Sequence, residues 1–96
     1  MTEIKLETAG AEQAFNIYDE RGKMGEMVLS ISDGQLTVYH TEVFPEAEGK
    51  GYAKLLLDHM TAYARANNLK VIPLCPYVHA QFKRHPDQYA DLWKAS

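Results

Sequence analysis

The chain has 96 residues, 46% hydrophobic and 24% charged, the proportions of one globular domain spanning 1–96. Its formal net charge of −3 argues against a general nucleic-acid binder, and no apolar run approaches the roughly 20 residues that cross a bilayer. A single cysteine, Cys75, excludes an internal disulfide, and the polar, acidic start Met1-Thr2-Glu3-Ile4-Lys5-Leu6 is neither a signal nor a transit peptide. Together these predict a reducing, cytoplasmic setting. A domain this small hides roughly 60–65% of the surface of its unfolded chain, which leaves little room for separate cofactor and acceptor subdomains.

Gln13 to Arg21 holds Ala14, Phe15, Ile17 and Tyr18 before a polar turn, which predicts a short strand. Met24 to Ser32 alternates, with Met27, Leu29 and Ile31 on one face and Val28, Ser30 and Ser32 on the other. Asp33-Gly34 supplies a two-residue hairpin turn. Gln35 to Val43, rich in Thr, Val and Tyr, is the third strand of an antiparallel run. The pattern changes at Pro45. After the loop Glu46-Ala47-Glu48-Gly49-Lys50-Gly51, the residues Ala53, Leu56, Leu57, Met60 and Ala64 step at helical spacing, predicting a helix over 51–66. Leu69 to Leu74 reads as a short strand whose pairing Pro73 breaks on one side. A helix follows Pro76 and is limited by Pro86, and Tyr89, Leu92 and Trp93 are spaced as one last apolar turn. The predicted order is β-β-β-α-β-α, an α+β domain with a mostly antiparallel, twisted sheet packed by helices.

The strand-to-helix junction from Val43 to Ala53 carries the strongest chemical signal. A helix N-terminus presents unpaired N–H groups and partial positive charge, and glycines at 49 and 51 let an anion approach the backbone. A glycine turn that merely opens a helix has the same spacing. The order of a Walker loop is absent, and so are the parallel βαβ units of a dinucleotide fold.

Glu48-Gly49-Lys50-Gly51-Tyr52-Ala53 resembles the acetyl-CoA motif of GNAT-superfamily N-acetyltransferases, Gln/Arg-x-x-Gly-x-Gly/Ala, departing from it at Glu48. His40-Thr41-Glu42-Val43, Leu74-Cys75-Pro76-Tyr77-Val78 and Phe82-Lys83-Arg84-His85-Pro86 resemble one subgroup, minimal proteins that keep little more than the cofactor-binding core. The likeness spans roughly Phe15 to Trp93. It implies a minimal GNAT-like fold with strands splayed at Val43 and Leu74 to admit the pantetheine arm of acetyl-CoA. It also implies a pyrophosphate held by the backbone from Gly49 to Ala53. Val43, Phe44, Glu48, Gly49, Lys50, Gly51, Tyr52 and Ala53 are the cofactor-binding residues it points to. Lys83 and Arg84 either lie over the CoA phosphates or form a solvated basic helix end.

Cys75 reads in two ways. A free cysteine is commonly a small buried hydrophobe, yet a thiol at a helix N-terminus is biased toward the nucleophilic thiolate. In the minimal subgroup the matching cysteine is a candidate catalytic residue. His40, placed by alternation on the face of Leu36, Val38 and Glu42, is either a packed residue or a base, since imidazole titrates near pH 6.5. The resemblance sets it beside the cofactor thioester, with Glu42 to orient it or act as base in its place. Tyr77 and Tyr89 read as packing residues. Cys75, His79 and His85 lack the further ligands that zinc requires, so no metal is expected.

Two functions follow from the resemblance: transfer of an acetyl group from acetyl-CoA to an amine acceptor, or a CoA-binding or protein-interaction module with little turnover. Larger members build the acceptor site from N-terminal helices and a C-terminal strand extension, for which this chain has little room. That favours the second function; the presence of both His40 and Cys75 favours the first.

Overall fold

The computed structural model describes residues 1–94 and shows a five-stranded sheet with helices on one face. The strands are β1 (Glu3–Ala9), β2 (Glu12–Asp19), β3 (Gly22–Ser32), β4 (Gln35–Val43) and β5 (Lys70–Pro73), hydrogen-bonded in chain order. A 3-10 turn at Pro45–Ala47 leads to α1 (Tyr52–Ala66); α2 (Pro76–Arg84) and a short turn of helix α3 (Pro86–Tyr89) follow β5. The sequence-based order is therefore one strand short. Alternation over Glu3–Ala9 is that of an edge strand: Ile4 and Leu6 pair with Ile17 and Phe15, while Glu3, Lys5 and Glu7 face away from the helices. Three charges on one face of an unpaired edge also discourage intermolecular strand addition.

Strands β1 to β4 are antiparallel, and the β3–β4 hairpin turns at Asp33 and Gly34, with φ of 53° and 76°, the left-handed values such a turn requires. The crossover through α1 brings β5 in parallel to β4, from Gln35↔Lys70 to Val38↔Pro73. The outer edge of β5 is covered: Val71 N–H donates to the Leu92 carbonyl at 2.8 Å, and Lys94 N–H to the Val71 carbonyl at 2.9 Å.

One core lies between the sheet and the helices. Phe15, Ile17, Met27, Leu36, Val38 and Val71 from the strands are fully buried against Leu56, Leu57, Met60 and Ala64 of α1 and Val78 and Phe82 of α2. Phe82 stacks on Tyr89 with centroids 4.5 Å apart, which fixes α3 beneath α2. Burial of each large aliphatic side chain stabilises the fold by about 1.5–3 kcal/mol, and so the helical spacing read in 51–66 settles which face α1 turns inward. The opposite face of the sheet carries no helix among the described residues. No described helix is long and apolar enough to cross a membrane.

Candidate active site

The loop between β4 and α1 is built by local bonds. Phe44 N–H donates to the Met24 carbonyl at 2.8 Å, Ala47 N–H to the Phe44 carbonyl at 2.9 Å, and Glu48 N–H to the Pro45 carbonyl at 3.2 Å. Ala47 is fully buried, so the turn is anchored while Glu46, Glu48, Gly49, Lys50 and Gly51 are exposed. Gly49 and Gly51 have φ of 84° and 76°, and a Cβ on either would meet nothing within 4 Å. Gly51 is the N-cap of α1 and no side chain caps the helix. The first helical bond runs from Leu55 N–H to the Gly51 carbonyl at 3.1 Å, which leaves the N–H groups of Tyr52, Ala53 and Lys54 without a backbone partner. Open space above two glycines, in front of unpaired amides at the positive end of a 15-residue helix, fits a phosphate-sized anion. The Tyr52 side chain turns away from this space; it is 8% exposed and its hydroxyl donates to Asp19 Oδ2 at 2.7 Å.

Beside the loop the sheet opens. β4 and β5 pair only as far as Val38 and Pro73, and Cys75 N–H makes the last link, to the Val38 carbonyl at 2.9 Å. From Tyr39 to Val43, β4 continues beside β3 alone. The splay inferred at Val43 and Leu74 is present and begins earlier along β4, with Val43 and the exposed Leu74 on its two sides. Cys75 is the N-cap of α2, 2% exposed and part of the hydrophobic core. Its Sγ lies 3.3 Å from Thr41 Oγ1.

His40 is not on the face that alternation assigned to it. Leu29 pairs with Val38 and Val28 with His40, so Tyr39 is an extra residue without a partner, a β-bulge. One inserted residue reverses every side chain beyond it. Thr41, opposite the buried Met27, takes the inner face of Leu36 and Val38, while His40 and Glu42 move to the open face with Val28 and Glu26. Tyr39 also lies there, its hydroxyl 2.8 Å from Ser30 Oγ. The structure thus separates the three candidate catalytic residues, placing Cys75 under the sheet and His40 and Glu42 over it, on either side of one gap.

On the open face Glu26 and Glu42 are direct cross-strand partners. Lys23 Nζ donates to Glu26 at 2.6 Å and His40 Nε2 stands 3.5 Å from it. The Lys23 hydrogen bond, helped by the charge of Lys23 and by His40, holds the Glu26 carboxyl below its ordinary pKa against a desolvation that raises it. Single ligand atoms of Glu26, His40 and Glu42 lie within 4.8 Å of one another, a grouping with metal-ligand chemistry that sequence spacing did not reveal. The bonded ammonium of Lys23 already occupies part of Glu26. Cys75, His79 and His85 form no such group among the described residues: His79 instead sets its ring edge against Trp93 at 5.8 Å.

Lys83 and Arg84 are exposed in the last turn of α2, at the opposite end of that helix from Cys75, and pair with no described carboxylate. Tyr77 packs against the core, and burial pushes its phenol pKa up, partly offset by the charge of Lys54. Sequence reasoning missed Thr41, hidden by the bulge, Glu26, whose place beside His40 depends on the pairing of β3 with β4, and Asp19, whose bond to Tyr52 joins the end of β2 to α1.

The model of the family described as GCN5-related N-acetyltransferase matches residues 14–92. Among solved structures, the chain is 30% identical to a GCN5-like protein from Staphylococcus aureus, with a TM-score of 0.72 over 98% of this chain and 89% of that one. It shares its fold with a GNAT family acetyltransferase from Elizabethkingia anophelis solved with acetyl-CoA bound, at 13% identity and a TM-score of 0.66, covering 91% of this chain and 74% of that one. The ribosomal-protein-alanine N-acetyltransferase of Brucella melitensis biovar Abortus 2308 is 20% identical with a TM-score of 0.62, over 92% of this chain and 65% of that one. No functionally curated protein matches the sequence.

Proposed function

The chain belongs to the GCN5-related N-acetyltransferase family, and on that premise we propose that it transfers an acetyl group from acetyl-CoA to an amine. One observation carries this reading: unpaired amides at the head of α1, under two left-handed glycines, stand beside the gap between β4 and β5. Gly49 to Ala53 would hold the pyrophosphate through backbone N–H groups, with Val43 and Phe44 leading the strand into the loop and Glu48 and Lys50 at its rim. Lys83 and Arg84 add positive charge for the phosphates. Bound acetyl-CoA would supply an activated acyl carbon.

This chain's residues then divide the work by face. The acceptor amine approaches from the open face and gives up its proton to His40, with Glu42 beside it as orienting group or base. Cys75, on the inner face with Thr41 as its hydroxyl partner, would accept the acetyl group: the Cys75 S–C bond forms, the CoA C–S bond breaks, and CoA leaves as the thiol with the Cys75 proton. The amine, reaching through the gap, then takes the acetyl group: the new N–C bond forms, the Cys75 S–C bond breaks, the Cys75 thiolate regains a proton from water, and His40 returns to water the proton it took. A reducing, cytoplasmic setting, which would keep the Cys75 thiol available, belongs to the same proposal.

A second reading, a CoA-binding module with little turnover, is favoured by one observation: Cys75 is 2% exposed and lies across the sheet from His40. Titration calorimetry with acetyl-CoA and CoA tests the binding common to both. Release of CoA thiol on adding a panel of primary amines then separates them. Binding without amine-dependent release selects the module, and no binding at millimolar CoA overturns both.

A further inference from the structure

We propose that Asp19, Arg21 and Tyr52 form a clamp that sets the shape of the phosphate-binding loop, so that they are positioning residues for the phosphate-bearing half of CoA. The proposal rests on the acetyl-CoA reading of that loop. Asp19 ends β2, and Arg21 sits in the turn to β3, far in sequence from the loop it holds. Its carboxylate is 1% exposed and accepts from the Arg21 backbone N–H at 2.8 Å, from Arg21 Nη2 at 2.6 Å and from the Tyr52 hydroxyl at 2.7 Å. Arg21 Nη1 donates onward to the Glu46 carbonyl at 2.8 Å. A single carboxylate therefore ties both ends of the loop to one strand turn: Glu46 before the glycines and Tyr52 after them.

Between those ends the chain is weakly determined. Ala47 and Glu48 N–H bond back to Phe44 and Pro45, but the N–H groups of Gly49, Lys50 and Gly51 have no backbone partner among the described residues, and Gly49 and Gly51 carry the largest conformational entropy of any residue type. Amides that must point together at a phosphate bind it well only if they are ordered beforehand. The clamp provides that order without touching the open space over the glycines, because the Tyr52 hydroxyl turns away from it. Arg21 is thereby committed to a carboxylate and a carbonyl, with its fork-shaped donors matched to both.

The test compares two thioesters on the wild type, Tyr52→Phe, Asp19→Asn and Arg21→Lys: acetyl-CoA, and acetyl-pantetheine, which has no phosphates. Tyr52→Phe keeps the buried ring and removes only the hydroxyl, so it remains informative if Asp19→Asn fails to fold. The expected result is an acetyl-CoA dissociation constant raised about tenfold in Asp19→Asn and less in Tyr52→Phe, with the KM and kcat for acetyl-pantetheine unchanged in Asp19→Asn and Arg21→Lys. Backbone ¹⁵N relaxation of the ligand-free protein should show lower order over residues 48–52 in the same variants. Equal losses for both thioesters, or wild-type affinity together with wild-type loop order, would overturn the clamp. Failure of the wild type itself to bind CoA would instead overturn the acetyl-CoA reading, while the relaxation data still judge the clamp as the device ordering the loop.

Discussion

Thr41 Oγ1 stands 3.3 Å from Cys75 Sγ on the buried face of the sheet, while His40, one residue earlier on β4, faces the open side beside Glu26. The bulge at Tyr39 produces this division, and it gives the gap a thiol on one side and an imidazole on the other.

The thiol is tested first. Incubation with acetyl-CoA is expected to leave one acetyl group on the protein, visible by intact mass, removed by hydroxylamine and absent in Cys75→Ala. That variant should lose transfer and keep CoA binding, since the proposed phosphate contacts come from the loop. Thr41→Val should slow acylation, because the hydroxyl is the hydrogen-bond partner of the thiol, and Thr41→Ser should restore it. Full transfer by Cys75→Ala with a genuine acceptor would show direct transfer and reduce Cys75 to packing.

The imidazole is tested through the rate. Removing a positioned base typically costs about 10²–10⁴-fold, so His40→Ala should lower kcat by that order while leaving the CoA dissociation constant near wild type. Glu42→Gln should cost less if Glu42 only orients His40. A pH–rate profile that keeps its acidic limb in His40→Ala would transfer the role of base to Glu42.

How far the sequence reached is clearest around Tyr39. Alternation identified the strand over 35–43 and its inner residues Leu36 and Val38, because burial on one face imposes period two. It misassigned the face of His40 because a bulge leaves no mark in the local pattern and shows only in the pairing with β3. The glycine loop was legible for the opposite reason: its glycines and helix start are local, and the observed α1 begins at Tyr52, one residue from the predicted boundary. Asp19 and Arg21 were invisible as loop partners, since nothing in the turn Asp19-Glu20-Arg21-Gly22 specifies contacts with Glu46 and Tyr52. Glu3–Ala9 went unread as a strand because only Ile4 and Leu6 supply apolar alternation before the charges resume.

Acid should release the clamp. The Arg21 side-chain hydrogen bond, reinforced by the Tyr52 hydroxyl and the Arg21 backbone N–H, holds the Asp19 carboxyl far below the usual carboxylate range despite desolvation. A depressed folded-state pKa contributes stability that is fully present above the unfolded value, near about 3.9, and is lost as pH falls through the folded value. The melting temperature of the wild type should therefore exceed that of Asp19→Asn by a constant margin from pH 7 to about 5, and the margin should shrink as pH falls below about 4. A margin that is already closing at pH 6 would mean that another group governs the difference.

Gly51 offers the sharpest check on the anion site, because two physical effects meet there and can be separated. Its φ of 76° is a left-handed conformation that a β-branched residue adopts at a cost of about 1–2 kcal/mol, so Gly51→Val should melt earlier than wild type without any ligand. The second effect concerns the space above the loop, where a Cβ meets nothing within 4 Å and where a phosphate would sit. CoA at about a hundred times its dissociation constant stabilises a folded protein by roughly 2.7 kcal/mol, and Gly51→Val should lose most of the resulting rise in melting temperature. Gly51→Asn separates the two, since Asn tolerates the left-handed region yet still projects a side chain over the amides. It should melt near the wild type when free and show a reduced CoA shift. If both variants keep the full shift, the backbone of this loop does not bind the phosphates, and the amides at the head of α1 serve only to start a helix.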